Sequence, residues 1–220
     1  MTRALLPQAF WFRVAVAAVR IDAMPRTDGT RVLELPASSA LPDFAQLEGS
    51  ASWAQVRSAW NPLGLGLMVL ADGLSDEQLD PSRPEGFAEV HFWVDTRDTR
   101  DVSRATRFCH HFVIKLAKRG SRGKLTAEVL QRPIARAVAD APIYRGDLIL
   151  ARADMTKSGW FLELFLPAQA LNGFDPDTNR RLGFAYQISD RVRPDQFLGI
   201  GREFPVGENP SLWATLELRD

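Results

Sequence analysis

A chain of 220 residues, 45% of them hydrophobic and 25% charged, has the profile of a folded globular protein and not of a disordered tail. Its 27 basic and 27 acidic side chains cancel, which removes the bulk electrostatic case for nucleic acid or an anionic membrane as partner. A single cysteine, Cys109, excludes an intrachain disulfide, so the fold rests on burial and hydrogen bonding and suits a reducing compartment.

The N-terminal stretch "MTRALLPQAFWFRVAVAAVR" is apolar, but Pro7, Gln8 and Arg13 interrupt it, so no signal-peptide core forms. No apolar run is long enough to span a bilayer. The expectation is a cytoplasmic chain without a membrane span. Within "FWFRVAVAAVRI" the aromatic and β-branched residues, free of Gly and Pro, predict a strand. The turn cluster "MPRTDGTR" and the short run "VLELP" follow and predict a hairpin partner.

Two further strands, "AQVRSAW" and "LGLMVLA", are joined by Asn61, Pro62, Leu63 and Gly64 as a tight turn. In the first, Val56, Ser58 and Trp60 share one face and Gln55 and Arg57 the other, which is period two. "SDEQLDPSRPEG" is a polar loop. "AEVHFWVDT" alternates again, with Val90, Phe92 and Val94 opposite Glu89, His91, Trp93 and Asp95. "FCHHFVIKLA" places Phe108, His110, Phe112, Ile114 and Leu116 on one face. "KRGSRGK" is a basic turn leading into "LTAEVLQ". Two strands flank "MTKSG", and "PAQAL" is one helical turn with Pro167 at its first position. After the loop "NGFDPDTNRR", "LGFAYQISDR" and "LWATLEL" close the chain as strands. Short strands with no long amphipathic helix between them predict an all-β protein. The expected form is an antiparallel β-sandwich, jelly-roll or immunoglobulin-like, with short helical turns only. With no linker or repeat, residues 1–220 form a single domain.

The succession "GWFLELFLPAQALNGF", "RLGFAYQISD" and "PSLWATLEL" resembles carbohydrate-binding module family 9. "AEVHFWVDTRD" looks like that family's strand ending in Asp, and "WAQVRSAWNPLGLGLMVLADG" like its early hairpin. The wider group of DOMON-like sandwiches includes sugar binders and haem-binding cytochrome domains. The resemblance implies the architecture first, and a non-catalytic, bacterial-type glycan-binding role second. The chain departs from the pattern at His91, where related modules carry a carboxylate. It also leaves the pair of tryptophans that clamps the sugar unplaced.

A pyranose needs a flat aromatic face for its C–H side and polar groups for its hydroxyls. Trp93 with His91, Asp95 and Arg97, and Trp60 and Trp53 at the early hairpin, are therefore the candidate ligand-binding residues. Trp160 and Trp213 are assigned to the core. Asp95, Asp98 and Asp101 recur every third residue and are candidates for calcium. Arg97, Arg100, Arg104 and Arg107 are interleaved with them, which favours a solvated loop paired with itself.

Cys109, His111 and His91 raise a zinc site should their strands pair, and His110 is expected to be a hydrogen-bonded core histidine. Met68, Met155 and His110 are the side chains open to haem ligation. Cys109 sits among apolar strand residues, as an inert thiol does. Glu163, between Phe161 and Phe165, is expected to be a buried carboxylate met by an arginine. No catalytic motif appears, so the chain is not expected to be an enzyme. The partner is an oligosaccharide or polysaccharide. In the alternative, a sandwich that has lost its sugar site serves as a cytosolic interaction or scaffold domain with a protein partner.

Overall fold

A computed structural model describes residues 14–26, 29, 31–45, 51–73, 87–119, 124–191 and 193–220. The strand expected from Phe10 is described only from its second half, and the polar loop at 75–86 and the tip of the basic turn lie outside these residues. The described chain is all-β. Its strands are β1 (Ala15–Arg20), β2 (Ala54–Asn61), β3 (Gly64–Asp72), β4 (Ala88–Asp95), β5 (Cys109–Arg119) and β6 (Lys124–Arg132). They continue as β7 (Leu150–Met155), β8 (Gly159–Pro167), β9 (Arg181–Asp190), β10 (Gln196–Phe197) and β11 (Ala214–Arg219). The helical segments are 3₁₀ turns of three residues, at Ala37–Ser39, Ala168–Ala170 and Pro210–Leu212. Pro167 ends β8 and precedes its turn instead of opening it. Among the described residues no helix is long and apolar enough to cross a membrane.

All strands join one sheet in the order β6-β5-β4-β9-β11-β1-β2-β3-β8-β7, with β10 added beside β9. The sheet rolls on itself until its end strands β6 and β7 lie alongside each other. Alternate residues point into the roll. Val90, Phe92, Phe112, Ile114 and Phe184 from one half meet Val56, Leu65, Leu67, Leu162 and Leu164 from the other in a single cluster. Each large apolar side chain moved out of water there contributes about 1.5–3 kcal/mol before entropy is counted.

The expectation of a wholly antiparallel sheet is corrected at β1. It runs parallel to β11, from Ala15 opposite Thr215 to Val19 opposite Arg219, and parallel to β2 at Val19–Ala59 and Arg20–Trp60. Other pairings are antiparallel, including the β2–β3 hairpin, where Asn61 faces Gly64 across Pro62 and Leu63. The Asn61 carboxamide shapes this corner. Its oxygen accepts from the Leu63 N–H at 2.9 Å, and its nitrogen donates to the Met24 carbonyl at 2.7 Å.

Both outer faces are partly covered. Over β2, β3 and β8 lies the segment "VLELP", which is not the predicted strand. It alternates like one, with Leu33 and Leu35 buried against Ala59, Met68 and Phe165. Its backbone, however, is satisfied by a side chain and not by a ladder. Glu163, fully buried, accepts from the Val32 N–H at 2.8 Å and the Leu33 N–H at 3.3 Å, and Arg31 stands 3.9 Å from its other oxygen. The expected arginine partner is thus present, but the strap is the main one. Gly66 permits the close approach, since a Cβ there would come within 2.8 Å of the Met24 sulfur and 3.2 Å of Leu33. The other half is covered by the segments around Ile134 and between Leu198 and Trp213, which bury Trp93, Cys109, Ala185 and Trp213.

Removing the Glu163 carboxylate leaves two backbone N–H groups without an acceptor under the strap. Glu163→Ala is expected to lower the unfolding free energy by about 3 kcal/mol, as measured by urea denaturation.

Candidate functional site

The six residues chosen from the sequence as ligand contacts do not converge. Trp93 does stand on the outer face of β4, opposite the apolar face, but it is only 4% exposed. Gly207 lies over its ring, 3.3 Å from Cζ2 to where a Cβ would be, so the indole is not an open platform. Trp60 is buried among the core residues. Its indole N–H donates to the Arg219 carbonyl at 2.9 Å, and the Arg180 guanidinium lies 4.5 Å from its ring centroid. Asp95 is buried at the end of β4, where its carboxylate accepts from the N–H of Arg97 at 3.0 Å and of Thr99 at 2.7 Å. Arg97 extends over the Phe108 ring at 4.7 Å. Trp160 and Trp213 are core residues, as expected.

The Asp/Arg repeat is in large part solvated, with Arg97, Asp101, Arg104 and Arg107 exposed, while Asp95 and Asp98 turn inward to protein donors. Asp98, held at φ 48°, meets Arg100 at 3.2 Å, Arg181 at 3.3 Å and the Thr215 hydroxyl at 2.9 Å. Asp95 and Asp98 are therefore each occupied by protein donors and do not share one calcium position with the exposed Asp101. The haem candidates are likewise dispersed. Met68 packs with Met24 and Leu33 on the outer face of β3, whereas His110 on β5 contacts the Asn172 carbonyl at 3.5 Å and Gln131 at 3.4 Å. His110 is the expected hydrogen-bonded core histidine, and burial pushes its pKa down to about 4. Burial also pushes the Cys109 thiol up to about 11, consistent with an inert thiol.

β4 and β5 do pair, and His91 and His111 meet. His91 Nδ1 lies 2.9 Å from His111 Nε2, and His91 Nε2 lies 2.8 Å from Glu89. Trp93 stacks on both imidazoles, with centroids 5.3 Å from His91 and 4.7 Å from His111. Cys109 does not complete a zinc set: its sulfur is 3.5 Å from the Thr106 N–H. Among the described residues no group of three or more His, Cys, Asp or Glu is placed to hold a metal. Desolvation lowers the pKa of both imidazoles, His111 to about 3, with His91 and Arg132 adding to that shift.

Of the three tryptophans chosen from the sequence, Trp53 is the one that lines an open space. Two adjoining cavities, of about 720 and 240 Å³, share Ser52, Trp53 and Gln196 in their walls. They open where the rolled sheet parts. β1 covers the edge of β2 only at Ala59 and Trp60. At the other end of β2, the buried Gln196 carboxamide takes over the pairing. Its oxygen accepts from the N–H of Trp53 and of Ala54, both at 3.0 Å, and its nitrogen donates to the Ala54 carbonyl at 2.7 Å. The cleft lies outside this junction.

Trp53 is half-buried, and its indole N–H donates to the Pro194 carbonyl at 2.9 Å. The Arg193 guanidinium lies 3.8 Å from its ring centroid. Phe44 and Phe197 line the larger cavity with it. Five carboxylates (Asp43, Asp72, Asp190, Asp195 and Glu203) and two guanidinium groups (Arg193 and Arg202) complete the described walls. Arg193 is held by Asp190 at 2.5 Å, and its Nη2 is buried without a partner. Arg202 pairs with Asp195, which also accepts from Gln187 at 2.8 Å. Aromatic rings beside fixed polar groups on an open wall suit a polyhydroxylated ligand. The segment from Asp190 to Glu203 was missed in the sequence. Its one local signal is Gly199 and Gly201 beside alternating charges.

No protein-family model and no curated protein matches the chain. Its fold is that of solved carbohydrate-binding modules of family 9. One from Caldicellulosiruptor kristjanssonii in complex with cellotriose superposes with a TM-score of 0.54 at 15% identity, covering 94% of each chain. A family 9 module from the same organism in complex with glucose gives 0.52 at 13% identity, covering 93% of this chain and 95% of that one.

Trp93→Ala empties a buried position and is expected to cost about 3–5 kcal/mol of stability in a denaturant melt, instead of acting on ligand binding alone. The buried histidines set a pH dependence. Their folded pKa values lie below the ordinary value of about 6.5, so the unfolded chain binds more protons as the medium acidifies. Stability is whole above that value and falls as the pH drops toward the folded values of about 4 for His110 and about 3 for His111. Thermal melts across that window are expected to show the loss, and His111→Gln to flatten it.

Proposed function

We propose that the chain is a non-catalytic glycan-binding module, and that its site is the cleft around Trp53. The observation that carries this is the cleft wall itself: three aromatic side chains, Phe44, Trp53 and Phe197, set beside two guanidiniums each held by a carboxylate, Arg193 by Asp190 and Arg202 by Asp195. Such a wall binds without a large ordering cost, because these paired groups are already in place. The fold adds support, since two modules that share it were solved with cellotriose and glucose bound.

On this reading the two halves of the rolled sheet are the two layers of a jelly-roll sandwich, and the chain is one DOMON-like domain. Trp53 takes the platform role that the sequence suggested for Trp93. The ligand is an oligosaccharide or a polysaccharide end, held by stacking and hydrogen bonds with no covalent step.

A scaffold role is the second reading. What favours it is the segment between β6 and β7, where Val138, Ile143 and Leu148 are exposed. A stable complex in solution that involves this segment, with no sugar bound at any concentration, would replace the first reading.

Trp53→Ala is expected to weaken binding of cello-oligosaccharides at least about tenfold, since an aromatic platform is a dominant contact in such sites. Calorimetric titration reads the affinity, and a melting curve close to that of the parent protein confirms the fold.

A further inference from the structure

Among the described residues of the Trp53 cleft the uncompensated charge is negative, and the geometry points to a site that selects glycans by charge. We infer that it prefers cationic amino sugars to neutral sugars, and neutral sugars to uronic acids. This rests on the glycan-binding reading above and names the class of sugar that the same cleft takes.

Neither guanidinium in the wall is at liberty to receive a sugar carboxylate. Arg193 is matched by Asp190 and lies over the Trp53 ring, and Arg202 is matched by Asp195. The one Arg193 nitrogen without a partner belongs to a cation already neutralised, so a second carboxylate brought to it also meets Asp190. Glu203 differs. Its carboxylate lines the larger cavity, is exposed, and has no ion-pair or hydrogen-bond partner among the described residues.

Glu203 also stands next to an aromatic ring. A Cβ on Gly201 would lie 2.9 Å from Glu203 Oε2 and 3.5 Å from Phe197 Cδ2, so carboxylate and ring flank the same backbone position. Beside them Gly199, at φ 112°, has open space where its side chain would be. A pyranose ring laid against Phe197 would place a ring substituent near Glu203. An ammonium there gains both the carboxylate charge and the electron-rich ring face. A hydroxyl gains an ordinary hydrogen bond, and a carboxylate is repelled. The cleft is open to solvent, so the charge effect is that of an exposed pair, screened by salt.

The test compares oligomers of glucosamine, glucose and glucuronic acid of equal length against the whole chain. It is run at low ionic strength and about pH 6, where an alkyl amine is protonated. The glucosamine oligomer is expected to bind about fivefold tighter than the glucose oligomer, and the glucuronic acid oligomer about fivefold weaker. Both ratios should shrink on adding salt, and the first should approach one in Glu203→Gln, because the affinity for the glucosamine oligomer falls by more than that for the glucose oligomer. Equal or tighter binding of the glucuronic acid oligomer overturns the inference, as does an amine preference that Glu203→Gln leaves unchanged. If all three oligomers fail to bind, the glycan reading of the cleft falls and this inference with it. If all three bind equally and Trp53→Ala weakens each of them, the cleft stands and only the charge selection is lost.

Discussion

One strand of six residues joins the two halves of this sheet. β1 hydrogen-bonds in parallel to β11 on one side and to β2 on the other, and among the described residues no other strand bridges those two. Parallel pairing cannot be made by a tight turn, so this seam depends on contacts far apart in sequence. The β2 contact is also short. Beyond Ala59 the edge of β2 must find other partners, and it finds Leu41, whose N–H donates to the Val56 carbonyl at 2.8 Å, and then the Gln196 carboxamide. The cleft exists because the seam is zipped at one end and held by a side chain at the other. The cleft and the sheet closure are thus consequences of one pairing pattern.

Buried polar side chains do much of the fastening. Glu163, Gln196, Asp95 and Asn61 each receive or supply backbone hydrogen bonds that a ladder would otherwise make. A polar group in an apolar interior is costly unless it is paired, so each of these residues ties its segment to one position. In the bare sequence Asp95, at a strand end, looks like a ligand contact, and Glu163, between two phenylalanines, like a carboxylate met by an arginine. What marks them as fasteners is the direction of their polar atoms, which face backbone, whereas the Glu203 carboxylate in the Trp53 cleft is exposed and meets no described partner.

Much of the strand content was legible because period-two alternation survives in the residues themselves. Val90, Phe92 and Val94, and likewise Val56, Ser58 and Trp60, turn inward as their spacing demands. The parallel seam was not legible, since nothing local in "AVAAVR" states which strands will flank it. The strap "VLELP" misled because alternation reports which side chains are buried, and not where the backbone hydrogen bonds go. Trp93 misled for a related reason. Its face was assigned correctly, but a loop more than a hundred residues later covers that face, with Gly207 on the indole. Trp53 could be named only as a tryptophan near a hairpin. Its neighbours in the cleft, Arg193 and Phe197, come from a stretch without any motif, and three-dimensional closure brings them together.

The meeting of β6 and β7 has a consequence of its own. A sheet that ends in the open presents a row of unmatched amides and carbonyls to any passing chain, and that is how strand-rich proteins template on one another. Here the two rims face each other, with Tyr144, Ile149 and neighbouring residues lining the space between them. The curl that brings them together leaves little bare margin for a stranger to zip onto, and so gives a strand-rich chain without a disulfide some protection against stacking into fibres.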